Sequence, residues 1–145
     1  MNKHKREGGF SLMEVLVGIF LVGVAVIGLA QLFLLSVTNN LRADRVANAT
    51  FLGQQQIDWL RGFTLDELLA YAGTSLESRD EVLDLNLDGT NDYRRITEFS
   101  AVGDIFEVTV HVYSAEKLGI PSPATLLADP DQYRPRALLS TIITR

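Results

Sequence analysis

Hydrophobic positions fall into three regimes along this chain. From Val15 to Leu35 they run almost unbroken, with Gln31 as the one polar side chain and no charge. At 1.5 Å rise per residue, about 20 such residues cross the hydrocarbon core of a bilayer, so the run predicts a membrane-spanning helix. The pattern then changes to helical spacing, with Val37, Leu41, Val46, Ala49, Thr50, Gly53, Ile57 and Leu60 recurring while Arg42, Asp44, Arg45, Gln54, Gln55 and Asp58 fall mostly on other faces. The helix is expected to continue unbroken as an amphipathic segment whose stripe packs on the C-terminal part of the chain, and to end at Gly62.

Thr64-Leu65-Asp66-Glu67 reads as a capping box opening a short helix over about 65–71 that stops at Gly73. Residues 74–92 hold few large apolar side chains and many acids, and read as a loop. The third regime has period two. Tyr93–Ala101 sets Tyr93, Arg95, Thr97 and Phe99 against Arg94, Ile96 and Glu98. Gly103-Asp104 supplies a turn. Ile105–Ser114 places Phe106, Val108, Val110 and Val112 inward and Glu107, Thr109, His111 and Tyr113 outward, so His111 reads as an exposed strand residue. Residues 115–135 hold all four prolines and read as a long loop, and Arg136–Thr144 closes the chain as a last strand. These elements predict an α+β fold: a long N-terminal helix, a short second helix and an antiparallel sheet of about three strands covering the outer half of the long helix.

Length leaves room for one domain plus the anchor. The net charge of −5 and pI near 4.9 argue against a dedicated nucleic-acid binder. Zero cysteines exclude disulfides, iron–sulfur clusters and thiol catalysis, and two histidines, His4 and His111, make a histidine-rich metal site implausible. No nucleophile–base pair or phosphate loop stands in the sequence, so an enzyme is not expected.

Ahead of the apolar run, Met1–Gly9 carries Lys3, Lys5 and Arg6 against Glu7, whereas the flank beyond it is nearly balanced. Positive charge before a span holds that end in the cytoplasm, which puts the residues beyond about 36 outside. A secretory signal peptide is the alternative, but the run exceeds the usual apolar core of 7–15 residues and no small-x-small site closes it. The remaining feature of the segment is Glu14, a carboxylate at the start of a membrane helix, where such residues are functional suspects.

Gly9-Phe10-x-x-x-Glu14, after a short basic leader and opening a long apolar helix, resembles the class III signal of type IV pilins and type II secretion pseudopilins. The resemblance implies a pilin-like fold, cleavage between Gly9 and Phe10 by a prepilin peptidase, and N-methylation of the new Phe10 amine. It divides the chain into a leader (1–9), a transmembrane and assembly half-helix (10–35) and an extracytoplasmic head (36–145). It further implies the bacterial inner membrane as the site of insertion, a periplasmic head, an inner-membrane assembly platform, and other pilins or pseudopilins as partners. Residues 49–61 resemble, more loosely, a stretch of PilV-like minor pilins and of I-type minor pseudopilins. Gly23 is similar to the start of a segment that can unwind in a pilus, while Gln31 stands where major pilins often carry proline.

Physical chemistry supplies a reason for the motif. Cleavage creates an ammonium on Phe10 that Glu14 of a neighbouring subunit can meet, and two unit charges about 4 Å apart interact by roughly 4 kcal/mol at an effective dielectric near 20. A paired carboxylate in lipid is better than an unpaired one, so the pair favours docking in register. Alternatively Glu14 snorkels to the membrane interface. Gly18, Gly23 and Gly28, five residues apart, do not line one face, so they let neighbours approach on several sides or soften the helix.

A second candidate site lies in the loop. Asp84, Asn86, Asp88 and Asp92 stand at the first, third, fifth and ninth places of a calcium-loop pattern, with Gly89 at the sixth and the Thr90 carbonyl at the seventh. Arg95 occupies the twelfth place, where an acid is usual, and Glu98, Asp80 or Glu81 would have to substitute. The alternative is an acidic turn before a strand. These features are compatible with three functions: a minor pilin or minor pseudopilin, a membrane-anchored calcium-binding module that does not polymerise, and a DNA-uptake pilin using Arg94, Arg95, Arg134 and Arg136 as an exposed basic patch.

Overall fold

A computed structural model describes residues 11–73, 75–102, 105–120 and 122–144. Gly9, Phe10 and the Gly103-Asp104 turn lie outside the described residues. The chain divides into two units, residues 1–41 and 42–145.

The first unit is helical from Leu12 and forms the opening part of α1, which runs Leu12–Arg61. Every residue from Ser11 to Leu41 is exposed. The helix is long and apolar enough to cross a membrane by length and composition.

In the second unit the rest of α1 buries Ala49, Leu52, Gly53, Gln56, Ile57 and Leu60. Of the stripe expected from the sequence, Ala49, Gly53, Ile57 and Leu60 are buried, joined by Leu52 and Gln56 at the same helical spacing, whereas Val37, Leu41 and Val46 are exposed, so the packed stripe begins only at Ala49. The helix ends at Arg61, and the capping box is formed: Glu67 N–H bonds Thr64 Oγ1, and Thr64 N–H bonds Glu67 Oε2 at 2.7 Å. The resulting α2, Leu65–Ala72, stops at Gly73, whose φ of 77° suits a residue without Cβ.

The sheet has four strands, β1 (Arg79–Leu83), β2 (Tyr93–Val102), β3 (Ile105–Ser114) and β4 (Ala137–Thr144), in the antiparallel order β1-β2-β3-β4. The α+β expectation holds, with one strand more than expected. That strand, β1, lies inside the segment read as loop. It pairs with β2 in the register Glu81↔Arg95. It opens with three consecutive charges, Arg79, Asp80 and Glu81, which is why a hydrophobic pattern does not reveal it.

The inner face of the sheet packs on α1 and α2 around Leu60, Leu68, Val108, Val110, Val112 and Phe106. Each large side chain fully withdrawn from water contributes about 1.5–3 kcal/mol. A row of rings, Trp59, Phe63, Tyr71, Phe99 and Phe106, continues through this core with neighbouring centroids 4.4–6.4 Å apart. Such pairs add about 0.5–1.5 kcal/mol each beyond area.

A second, smaller core covers the other face. The segment read as loop between β3 and β4 contains a 3-10 turn, Ala115–Lys117, and α3, Pro123–Ala128. Pro123 opens α3, where its missing N–H costs nothing. Leu126 of α3 packs on Ile96 and Tyr113, flanked by Ile120, Leu127 and Tyr133. Tyr113, expected to face solvent, is therefore 1% exposed.

Candidate functional site

Glu14 stands in the first turn of α1, where its N–H and that of Val15 bond the Ser11 carbonyl at 2.9 and 3.2 Å. A carboxylate there is favoured by the positive end of the helix dipole. It is the only ionisable side chain from Leu12 to Leu41. Gly23 is helical like its neighbours, and a Cβ at Gly18, Gly23 or Gly28 would meet nothing within 4 Å. Packing among the described residues therefore gives no reason for three glycines in this helix.

Asp84, Asn86, Asp88, Thr90 and Asp92 lie together in the β1–β2 loop. Asp84 accepts from Leu87 N–H and Gly89 N–H, both at 2.8 Å, and Asp92 accepts from Leu85 N–H at 3.1 Å. Asp88 accepts from the Thr90 hydroxyl and, at 2.8 Å, from Thr90 N–H. These two bonds hold its carboxyl below the usual carboxylate range. Gly89 at φ 86° and Leu87 at φ 59° make the tight turn, and Leu87 is 88% exposed.

The donor set that calcium would need here is incomplete. Among the described residues no three acidic or histidine side chains converge as a metal-holding group. Each acid that could have replaced Arg95 at the twelfth place is engaged elsewhere: Asp80 with Arg94 at 2.7 Å, Glu81 with Arg95 at 2.5 Å, and Glu98 with His111 at 2.7 Å.

Those pairs were not read from the sequence. Arg94 donates through Nε and Nη2 to both oxygens of Asp80, at 2.8 and 2.7 Å, while Nη1 reaches the Ile120 carbonyl. The hydrogen bonds to Asp80 push the Arg94 pKa further up. Arg95 donates to Glu81 and, through Nη1, to the Leu52 carbonyl of α1 at 3.2 Å. A signal existed: an acidic doublet, Asp80-Glu81, and a basic doublet, Arg94-Arg95, flank a turn at matching distances. The expectation of an exposed basic patch is corrected accordingly. Arg94 and Arg95 are buried, and Arg136 is half-buried with Glu116 at 3.8 Å, leaving Arg134 exposed. His111 is likewise half-buried rather than exposed.

Residues 4–30 match the family model of the prokaryotic N-terminal methylation motif. No curated protein and no solved structure matches the chain. The motif, with an apolar helix behind it and an α+β fold, supports the class of type IV pilins and type II secretion pseudopilins. It implies processing by prepilin peptidase and assembly with other pilins, and it fits a membrane-anchored protein.

Proposed function

We propose that this chain is a minor pilin of a type IV pilus, a structural subunit with no catalytic role that primes or modifies filament assembly. Prepilin peptidase cuts between Gly9 and Phe10 and methylates Phe10. Residues 10–35 then hold the protein in the bacterial inner membrane, N-terminus inside, with residues 36–145 in the periplasm. The observation that carries this reading is the match of residues 4–30 to the methylation motif, continued by a helix whose one charge up to Leu41 is Glu14. In the membrane Glu14 pairs with the Phe10 ammonium of a neighbouring subunit, and Gly18, Gly23 and Gly28 let neighbouring helices approach.

The looser likeness of residues 49–61 is to PilV-like minor pilins and I-type minor pseudopilins alike, and Gln31, where major pilins often carry proline, favours a minor over a major subunit. Replacing Glu14 by Ala or Gln tests the assembly role. The expected result is processed, membrane-inserted protein that no longer enters the sheared filament fraction. Wild-type incorporation of both variants overturns it.

A further inference from the structure

Between α1 and the β1–β2 pair, wholly within the second unit, lies a crevice of about 300 Å³ lined by Gln55, Gln56, Trp59, Glu81 and Arg95. Small-molecule sites run from about 300 to 1,000 Å³, so this one has room for a single ring. Trp59 is in T-shaped contact with Phe63 and Tyr71, with centroids 4.4 and 5.2 Å away, and is thereby held in place, yet it stays 48% exposed. Gln55, one turn earlier on the same side of the helix, is exposed as well.

Gln56 is the residue that packing does not explain. It holds a buried position of the α1 stripe, 3% exposed, where an apolar side chain would cost less. One end of its amide reaches the Tyr71 hydroxyl at 3.4 Å, and the other has no partner among the described residues. Among those residues, the one polar side-chain atom sealed from water without a partner is Thr97 Oγ1, so the spare end of Gln56 opens to the crevice it lines. On the strand side, Arg95 donates from Nε and Nη2 to Glu81 Oε2, which leaves Oε1 without a partner among the described residues. Glu81 and Arg95 neutralise each other, and the lining carries no net charge.

We propose that this crevice is a carbohydrate site that takes one neutral pyranose ring. The C–H face of such a ring is apolar and slightly positive, which suits the negative face of an indole, while its hydroxyls offer donors and acceptors around the edge. The Gln55 and Gln56 amides and the Glu81 carboxylate supply partners of both kinds, and a lining without net charge favours a neutral ligand over a sugar acid or a phosphate. The inference concerns the second unit alone and stands whether or not the chain enters a filament.

Trp59 is the only tryptophan of the chain, so its emission reports on the crevice without background. The full chain, in a detergent without a sugar headgroup, is titrated with glucose, galactose, mannose and N-acetylglucosamine, each free and as its methyl glycoside. At least one is expected to change the emission saturably, with a dissociation constant of about 1–10 mM for so small a ligand. A response to methyl glycosides identifies the end of a glycan as the ligand, and a response to free sugars alone a soluble sugar. Gln55→Ala, at an exposed position, should weaken binding about three- to tenfold, the loss of one hydrogen bond. Gln56→Leu should weaken it at least as much while melting no lower than the wild type, because it removes a poorly satisfied buried amide. Glycerol, which has hydroxyls but no ring face, should leave the emission unchanged. The proposal is overturned by an emission that none of these sugars changes at concentrations well above that range. A response shared equally with glycerol overturns it too, as does a sugar affinity that Gln55→Ala and Gln56→Leu both leave unaltered.

Discussion

Gly53 of α1 lies so close under Leu139 of β4 that a Cβ built on it would stand 2.5 Å from Leu139 Cδ1 and 3.6 Å from Val112 Cγ2. A glycine in a helix interior costs about 1 kcal/mol relative to Ala, and here that cost permits a close approach of helix and sheet. The obstructing atom is the tip of a flexible side chain, whose displacement from its rotamer costs of order 0.5–1.5 kcal/mol. The two effects offset each other. Gly53→Ala is therefore expected to change stability by less than about 1 kcal/mol, whereas Gly53→Val, which cannot be absorbed by one rotamer, should cost about 1–3 kcal/mol. Thermal melts of the full chain in detergent check this, and Leu139→Ala should reduce the penalty of Gly53→Val.

The Asp80–Arg94 pair makes a second prediction. Arg94 is 4% exposed, and Asp80 takes two of its hydrogen bonds. Removing one member of such a pair strands a buried charge at about 3–5 kcal/mol, and the partly wet position of Asp80 favours the lower end. Asp80→Ala should destabilise by about 3 kcal/mol, and the double replacement Asp80→Leu with Arg94→Met should recover most of it. A loss of under about 1 kcal/mol for Asp80→Ala would show that the carbonyls of Ile120 and Lys117 suffice for the guanidinium.

These two relationships show what a sequence reveals and what it hides. The α1 stripe, the capping box at Thr64 and Glu67, and the alternation of Phe106, Val108, Val110 and Val112 were legible because period and capping are local. β1 was not, because its three consecutive charges, Arg79, Asp80 and Glu81, look like solvent exposure until the pairing of Glu81 with Arg95 on the partner strand is known. Tyr113 lies on the face that its period indicates, but in a different environment. Period tells which side a residue points to, not that Leu126 of α3 lies over it. α3 itself was hidden because Pro123, which starts the helix, is equally a loop residue. At the N-terminus the candidate site is legible in Gly9, Phe10 and Glu14 through resemblance and charge, whereas the pairing expected for Glu14 belongs to an assembly and not to a single chain.

Burial of Tyr113 has a pH consequence. Its withdrawal from water, and then the nearby Glu98 carboxylate, hold the phenol above its ordinary value of 10.0. The raised value means that the folded chain keeps a proton which the unfolded chain gives up. The contribution of Tyr113 to stability is intact below pH 10 and declines as pH rises from 10 through the folded value. Melting temperature between pH 8 and 11 should fall more steeply for the wild type than for Tyr113→Phe. Parallel curves would contradict this.

The β1–β2 loop closes on its own hydrogen bonds, and the acids that could complete a calcium shell are committed to Arg94, Arg95 and His111. Calcium at about 1 mM, enough to load a weak extracytoplasmic site, is therefore expected to leave the melting temperature unchanged within about 1 °C. A site with a dissociation constant near 0.1 mM would instead add about 1.4 kcal/mol, a rise of several degrees. Such a rise, lost in Asp84→Ala, would establish a calcium site at Asp84, Asn86, Asp88, Thr90 and Asp92.

The pairing proposed for Glu14 requires a partner that does not exist until the chain is cut, since the Phe10 amine is a peptide nitrogen before cleavage. Mass determination of the N-terminus, on protein recovered from membranes with and without a co-expressed prepilin peptidase, tests this most directly. The account predicts a mature chain that has lost Met1–Gly9, begins at Phe10 and carries one added methyl group, formed only when the peptidase is present. A chain that retains Met1 in the presence of active peptidase, or one cut beyond the apolar run, would contradict it.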